Sequence, residues 1–198
     1  LPQIGSLAGP EAVVMVAKRA EELDFDSLWV LDRILWPVNP RAPYPIGDGS
    51  LPVQYKNVLD PVETLMFAAA HTGRIALATG VLNIPWYNPV LLARRLTTLD
   101  VLSGGRLRAG FGIGWSPDEY EAAGAAWPDR GKRADEGIRI LKKNWTTDPV
   151  EGNINHVHGQ REWGVTATLI RDNVPVLTVV YVPLTGRTYT AVRGGGAF

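Results

Sequence analysis

The sequence contains no cysteine. That excludes disulfides, thiolate nucleophiles and Cys-ligated zinc together, and it fits a reducing compartment. Neither sign of charge is in surplus, since 20 Lys and Arg balance 20 Asp and Glu. Binding a phosphate backbone or an anionic lipid surface draws on excess Lys and Arg, so no nucleic-acid partner and no membrane partner is expected. No apolar run approaches the ~18 residues needed to cross a bilayer. The opening Leu1-Pro2-Gln3-Ile4-Gly5 has neither the basic region nor the apolar stretch of a secretory signal, and a cytoplasmic location is expected. There is no initial Met, and the chain stops on Gly194-Gly195-Gly196-Ala197-Phe198. Missing sequence is expected at both ends. Histidine is scarce, with three in 198 residues, and no Ser/His/Asp set stands out.

What is present is ample apolar content, 45% of the chain, enough to bury a core. The length allows one domain or one and a fraction. Pro10 can open a helix, and Val13, Val14, Val16, Ala17, Ala20 and Leu23 follow at roughly helical spacing. Ser27 to Leu31 reads as a buried strand. Asp60-Pro61-Val62-Glu63 is a capped helix start, and the helix runs to about Thr72. Arg74 to Leu82 is a second strand, Asn88-Pro89 opens a helix to about Leu102, and Arg106 to Gly112 is a third strand. Ser116-Pro117-Asp118-Glu119 repeats the cap device, and Lys132 to Trp145 is amphipathic.

Strands that are apolar on both faces and alternate with helices predict a parallel sheet covered by helices. The fold class is α/β, either a doubly wound sheet or part of a (β/α)8 barrel, which needs ~250 residues when complete. Near Asp148 the pattern changes to a three-stranded antiparallel meander, with strands from Trp163 to Arg171, Val176 to Val182 and Arg187 to Val192. A boundary is placed near 147–152, dividing residues 1–150 from 151–198.

In parallel α/β folds, ligands bind beyond the carboxyl ends of the strands. After the first strand come Asp32-Arg33 and an irregular stretch to about Leu59. Loops beyond ~15 residues are uncommon unless functional or disordered; this one carries Trp36, Tyr44 and Tyr55, as a lid over a flat ligand would. After the second strand, Gly80 signals a bulge or close backbone approach, and Asn83 offers an amide. After the third, Gly110, Gly112 and Gly114 alternate, leaving bare backbone for a ligand ahead of the helix at Ser116. His71 reads as a helix-end residue. With no nucleophile or metal cluster evident, a cofactor is expected to carry the chemistry.

Three stretches resemble the luciferase-like monooxygenase family, particularly its oxidoreductases that use the deazaflavin coenzyme F420. They are Ala20 to Trp29 (AEELDFDSLW), Tyr87 to Ala93 (YNPVLLA) and Thr98 to Leu107 (TLDVLSGGRL). The resemblance implies a (β/α)8 barrel, of which residues 1–150 supply roughly the first half. It implies a bound F420, or alternatively FMN, with hydride transfer at the cofactor ring and a small-molecule substrate. Asp32 takes the place of a cofactor-contacting residue. Gly80-Val81 matches a strand bulge, often a non-prolyl cis peptide, that backs the ring. Asn83 matches a polar contact to the cofactor, and Ile113, Gly114 and Asp118 match the loop holding its tail. Arg33 lies where some members carry a catalytic His, and Trp115 replaces an acid used by some, so no catalytic residue is assigned. A second copy closing the half-barrel would make the chain a homo-oligomer.

Residues from about Asp148 to Phe198 resemble the inositol monophosphatase family. The resemblance rests on Asp148-Pro149-Val150-Glu151-Gly152-Asn153-Ile154-Asn155, on Glu162-Trp163-Gly164-Val165 and on the stretch from Tyr189 to Phe198. It implies that Asp148 and Glu151 bind Mg²⁺ and that Gly152 and Asn153 face phosphate. The family's Asp stands here as Glu151 and its Thr as Asn153. His156 and His158 read as a strand or loop pair. Two alternatives to the oxidoreductase follow: an Mg-dependent phosphatase fragment, and a non-catalytic chimeric chain.

Overall fold

In the first unit, Leu1–Asn144, each cap-and-proline device of the sequence sits at a helix start. The computed structural model describes residues 1–146 and the backbone of strands at 165–171, 174–182, 187–192 and 196–197. It divides the chain into that unit and a second, Trp145–Phe198. Helix α1 (Pro10–Glu22) buries Val13 and Ala17. Helix α2 (Pro61–Ala69) is capped by the Asp60 carboxylate, which accepts from the backbone N–H groups of Val62 and Glu63. Helix α3 (Pro89–Ser103) is capped likewise by Asn88 and ends at Gly104, whose φ of 72° is the left-handed conformation that favours glycine. Leu92, Ala93, Leu96 and Leu99 recur at helical spacing on its buried face. Two short steps then lead through α4 (Pro117–Ala122) to α5 (Arg130–Thr146).

The strands are parallel. β1 (Ser27–Val30) pairs with β2 (Ala76–Thr79), and β2 pairs with β4 (Leu107–Arg108). β3 (Leu82–Asn83) pairs with β5 (Phe111–Gly112). β2 and β3 are the two halves of one strand predicted as continuous, as are β4 and β5. The break has a register signature. Leu77 faces Leu107, an offset of 30, whereas Leu82 faces Phe111, an offset of 29. One extra residue is therefore inserted between Ala78 and Leu82, which is a β-bulge. It contains a cis peptide at Gly80–Val81.

Leu28, Val30, Leu65, Leu77, Leu96 and Leu99 are buried at the sheet–helix layer. Each such side chain contributes about 1.5–3 kcal/mol relative to exposure. The expectation that both sheet faces are covered holds on one face of β1 only: its burial alternates, and Trp29 is 56% exposed. α2 packs against β1 and β2, and α3 against β4, which covers the Leu28–Val30 side.

In the second unit, β6 (Val165–Arg171), β7 (Val174–Val182), β8 (Arg187–Val192) and β9 (Gly196–Ala197) pair antiparallel in that order. β7 begins at Val174, so it contains Pro175, which the sequence pattern places in a turn. The pairing shifts register between Leu169 and Ile170, the latter opposite Pro175; such irregularities are where a strand tolerates a residue without an N–H. Asp148, Glu151, Gly152, Asn153, His156 and His158 lie outside the described residues.

Candidate functional site

Three consecutive segments converge past the carboxyl ends of the strands. β1 delivers Leu31, Asp32 and Arg33. The bulge delivers Gly80, Val81 and Asn83. β5 delivers Gly114 and Trp115, and α4 delivers Glu119. With Tyr44, Tyr55 and Trp86 they line a cleft of about 190 Å³. Asp32 is only 6% exposed. Its Oδ2 accepts from the Asn83 backbone N–H at 2.9 Å and its Oδ1 from the Tyr87 hydroxyl at 2.9 Å. Burial pushes its carboxyl above the ordinary range, against the opposing pull of those two donors and of Arg95 and Arg33. The Tyr87 hydroxyl is raised by burial and by the Asp32 charge.

Arg33 and Glu119 form a buried pair, with side chains 6% and 0% exposed and Nε 3.0 Å from Oε1. Oε1 also accepts from the Ile34 backbone N–H at 3.0 Å. Burial raises the Glu119 carboxyl, with the Ile34 N–H and Arg33 opposing. The guanidinium carbon lies 5.4 Å from the Tyr55 ring centroid and 5.0 Å from that of Trp115, within cation–π range. Tyr44 meets both rings edge-on. Among the described residues, Arg33 Nε and Nη2, Glu119 Oε2, Trp86 Nε1 and Ser116 Oγ are buried without a hydrogen-bond partner. Ser116 thus precedes α4 without capping it, which corrects the expectation of a repeated cap device. The Glu119 carboxylate that would complete the box is drawn instead to Arg33 and Ile34.

The long loop is tied down at three points. Gln3, 2% exposed, donates through Nε2 to the carbonyls of Leu31 and Leu59, each at 2.7 Å, and accepts from the Leu31 N–H at 2.8 Å. One amide therefore clasps both ends of the loop. Midway, the Arg41 N–H and Nε donate to Asp118 at 3.1 and 3.0 Å. The Tyr44 and Tyr55 hydroxyls lie 3.3 Å apart.

Of the residues singled out from sequence, Asp32, Gly80, Val81, Asn83 and Gly114 meet in the cleft. Ile113 and Asp118 are outside its lining. The Ile113 carbonyl accepts from the Tyr120 hydroxyl, and Asp118 holds the loop. The alternating glycines serve strand packing first. A Cβ on Gly110 would strike the Thr79 carbonyl, and one on Gly112 the Val81 side chain, while Gly114, at φ 67°, lies against Trp86. His71 lies just past the end of α2, with its Nδ1 2.8 Å from the Phe67 carbonyl. Sequence reasoning missed Glu119, Tyr87, Trp86 and Gln3 as parts of the site. Glu119 carried a signal, its place one helical turn beyond Trp115; Gln3 carried none.

The site is a cleft of an α/β protein with apolar and aromatic walls, a bulged strand behind it and a buried carboxylate and amide at one edge. The chain belongs to the luciferase-like monooxygenase family, whose model matches residues 2–176. It is 37% identical over 134 residues to an uncharacterised protein of Mycobacterium tuberculosis, covering 67% of this chain and 48% of that one. It is 30% identical over 196 residues to an F420-dependent glucose-6-phosphate dehydrogenase of Intrasporangium calvum, covering 95% and 53%. Among solved structures it resembles monooxygenase RslO1 from Streptomyces bottropensis, with TM-score 0.59 and 30% identity over 73% of this chain and 40% of that one. The chain spans about half the length of the curated relatives it matches. The join expected near 147–152 falls inside the family match. The inositol monophosphatase and chimera readings, and with them the Mg²⁺ and phosphate roles of Asp148, Glu151, Gly152 and Asn153, find no support in these comparisons. Among the described residues, no group of three or more His, Asp or Glu could hold a metal ion, and no helix is long and apolar enough to cross a membrane.

Proposed function

We propose that this chain carries the cofactor-holding part of an oxidoreductase that uses F420 or, alternatively, FMN, built as roughly the first half of a (β/α)8 barrel and acting on a small molecule. The observation that carries this reading is the Asp32–Asn83–Tyr87 cluster beside the Gly80–Val81 bulge, in a chain of the luciferase-like family. The residues fit the group. Asp32 is a buried acceptor oriented by two donors, Asn83 adds an amide, and the unpartnered Trp86 Nε1 adds a buried donor. Leu31, Val81 and Trp86 wall the cleft with apolar surface. The bound cofactor would supply hydride transfer at its ring. The chain's own residues hold the polar edge through Asp32 and Asn83, back the ring through Val81 and exclude water through Tyr44, Tyr55 and Trp115. Asp118 serves by anchoring the loop that carries Tyr44 and Tyr55.

The test is a titration of the purified chain with F420 and then FMN, followed by cofactor fluorescence. Saturable binding is expected, weakened in Asp32→Ala and in Asn83→Ala. A folded chain that binds neither cofactor would overturn the reading.

A further inference from the structure

We propose that Arg33, beneath Tyr55 and Trp115, is a substrate-anion subsite of the cleft that takes a small planar carboxylate. Calling its occupant the substrate rests on the oxidoreductase reading; the subsite itself rests on the geometry of the guanidinium. A buried arginine facing a carboxylate usually spends its N–H groups in a two-bonded fork. Here it does not. Glu119 approaches through one oxygen only, 3.0 Å from Nε, and that oxygen already accepts from the Ile34 N–H. Neither Nε nor Nη2 makes a hydrogen bond among the described residues. These atoms carry three of the five guanidinium N–H groups. Glu119 therefore balances the charge of Arg33 without consuming its donors.

Buried donors left unmet are costly, more so when charged, so the arrangement favours a ligand that brings acceptors. The shape of that ligand follows from its surroundings. Tyr55 and Trp115 cover the guanidinium at 5.4 and 5.0 Å, leaving its edge; a fork of that kind takes a carboxylate or a phosphate, and the flat walls favour the planar one. Asp32 and Glu119 line the same cleft; the Asp32 oxygens are engaged by the Asn83 N–H and the Tyr87 hydroxyl. The cofactor ring would share this cleft of about 190 Å³, so the group that Arg33 takes is small. Flat aromatic walls favour a ring beside the carboxylate.

The experiment is a calorimetric titration of the full chain, without cofactor, using benzoate, benzamide and inorganic phosphate as probes. Benzoate is expected to bind saturably, with benzamide and phosphate each weaker by about tenfold or more. Arg33→Lys keeps the charge but loses the fork, and should weaken benzoate by a similar factor. If Arg33→Lys fails to fold, the double variant Arg33→Met/Glu119→Gln, which removes both charges, should fold and lose benzoate binding. Equal binding of benzamide, tighter binding of phosphate, or benzoate binding unchanged in either variant would overturn the proposal. A parallel F420 titration separates the two readings. Arg33-dependent benzoate binding without F420 binding keeps the subsite and removes the oxidoreductase; F420 binding without benzoate binding does the reverse.

Discussion

The two ends of the parallel strands treat their charged groups in opposite ways. At the amino ends, Glu21 and Arg106 spend their charged groups on hydrogen bonds. The Glu21 carboxylate of α1 accepts from the backbone N–H groups of Gly73, Arg74 and Ile75, just ahead of β2. Arg106, just ahead of β4, makes five hydrogen bonds, to the carbonyls of Ala69, Thr72, Ile75 and Ser103 and the Thr72 hydroxyl. It thereby closes the open carbonyl end of α2. At the carboxyl ends, the side chains of Arg33 and Glu119 are buried and leave Nε, Nη2 and Oε2 without hydrogen bonds. Saturated groups at one end hold the fold together; unsaturated groups at the other are where the proposed ligand would bind.

The sharpest way to break this contrast is to remove one arginine from each end. Arg33→Met leaves Glu119 as an uncompensated buried charge and should cost about 3–5 kcal/mol in urea unfolding. Adding Glu119→Gln should restore most of that, because the pair's own net contribution is small. Arg106→Met should cost less, about 1.5–3 kcal/mol for lost hydrogen bonds to a charged group, and no second substitution at one site should rescue it, since four of its five hydrogen bonds go to backbone carbonyls. If the double variant at the carboxyl end stays as unstable as Arg33→Met, the pair is structural and the contrast fails.

Gln3 tests the border between the two regimes, since it is fully bonded yet serves the cleft. Gln3→Leu strands the Leu31 N–H and the carbonyls of Leu31 and Leu59 and should cost about 1–3 kcal/mol. It should also weaken cofactor binding, because both ends of the loop carrying Tyr44 and Tyr55 are released. Arg106→Met should leave that binding unchanged. Equal binding in wild type and Gln3→Leu would show that the clasp contributes only stability.

How far the sequence discloses each end follows the same division. Helix starts at Pro61 and Pro89 were legible because capping is a three-residue matter, and Gly80 announced the bulge within its own strand. The placement of Asp32 and Asn83 in one cleft was legible from strand order. The diversion of Glu119 was not: its partner Ile34 lies 85 positions away, and locally Ser116-Pro117-Asp118-Glu119 reads as a capping box. The clasp of Gln3 spans 28 and 56 positions, with no local pattern. In sequence the glycines of 110–114 read as open backbone, because nothing near them shows that Thr79 and Val81 fill the space. The phosphatase resemblance gained no support, and a short acidic motif has little information when its other ligands must come from elsewhere in the chain.

The smallest expected effect is also the most direct reading of the contrast, because the two ends should respond to pH with opposite sign. For Glu21, burial pushes the carboxyl up, but the N–H groups of Ile75, Gly73 and Arg74 and the Arg106 charge outweigh it and hold the carboxyl below 4.5. A folded-state value below the unfolded one contributes stability above the usual carboxylate range and loses it as pH falls through the lowered value. For Asp32, burial wins and the carboxyl is held above 3.8. Its contribution is therefore greatest below that value and is lost as pH rises towards the raised one. Urea midpoints across the carboxylate range should show this. Glu21→Gln should flatten the loss of stability on the acid side, by less than ~1 kcal/mol because the group is solvent-screened. Asp32→Asn should instead remove the loss that accompanies ionisation as pH rises. If both variants changed the same limb of the profile, Asp32 would be held in its charged form by Asn83 and Tyr87 as firmly as Glu21 is by its three amides, and the carboxyl end would be as saturated as the amino end.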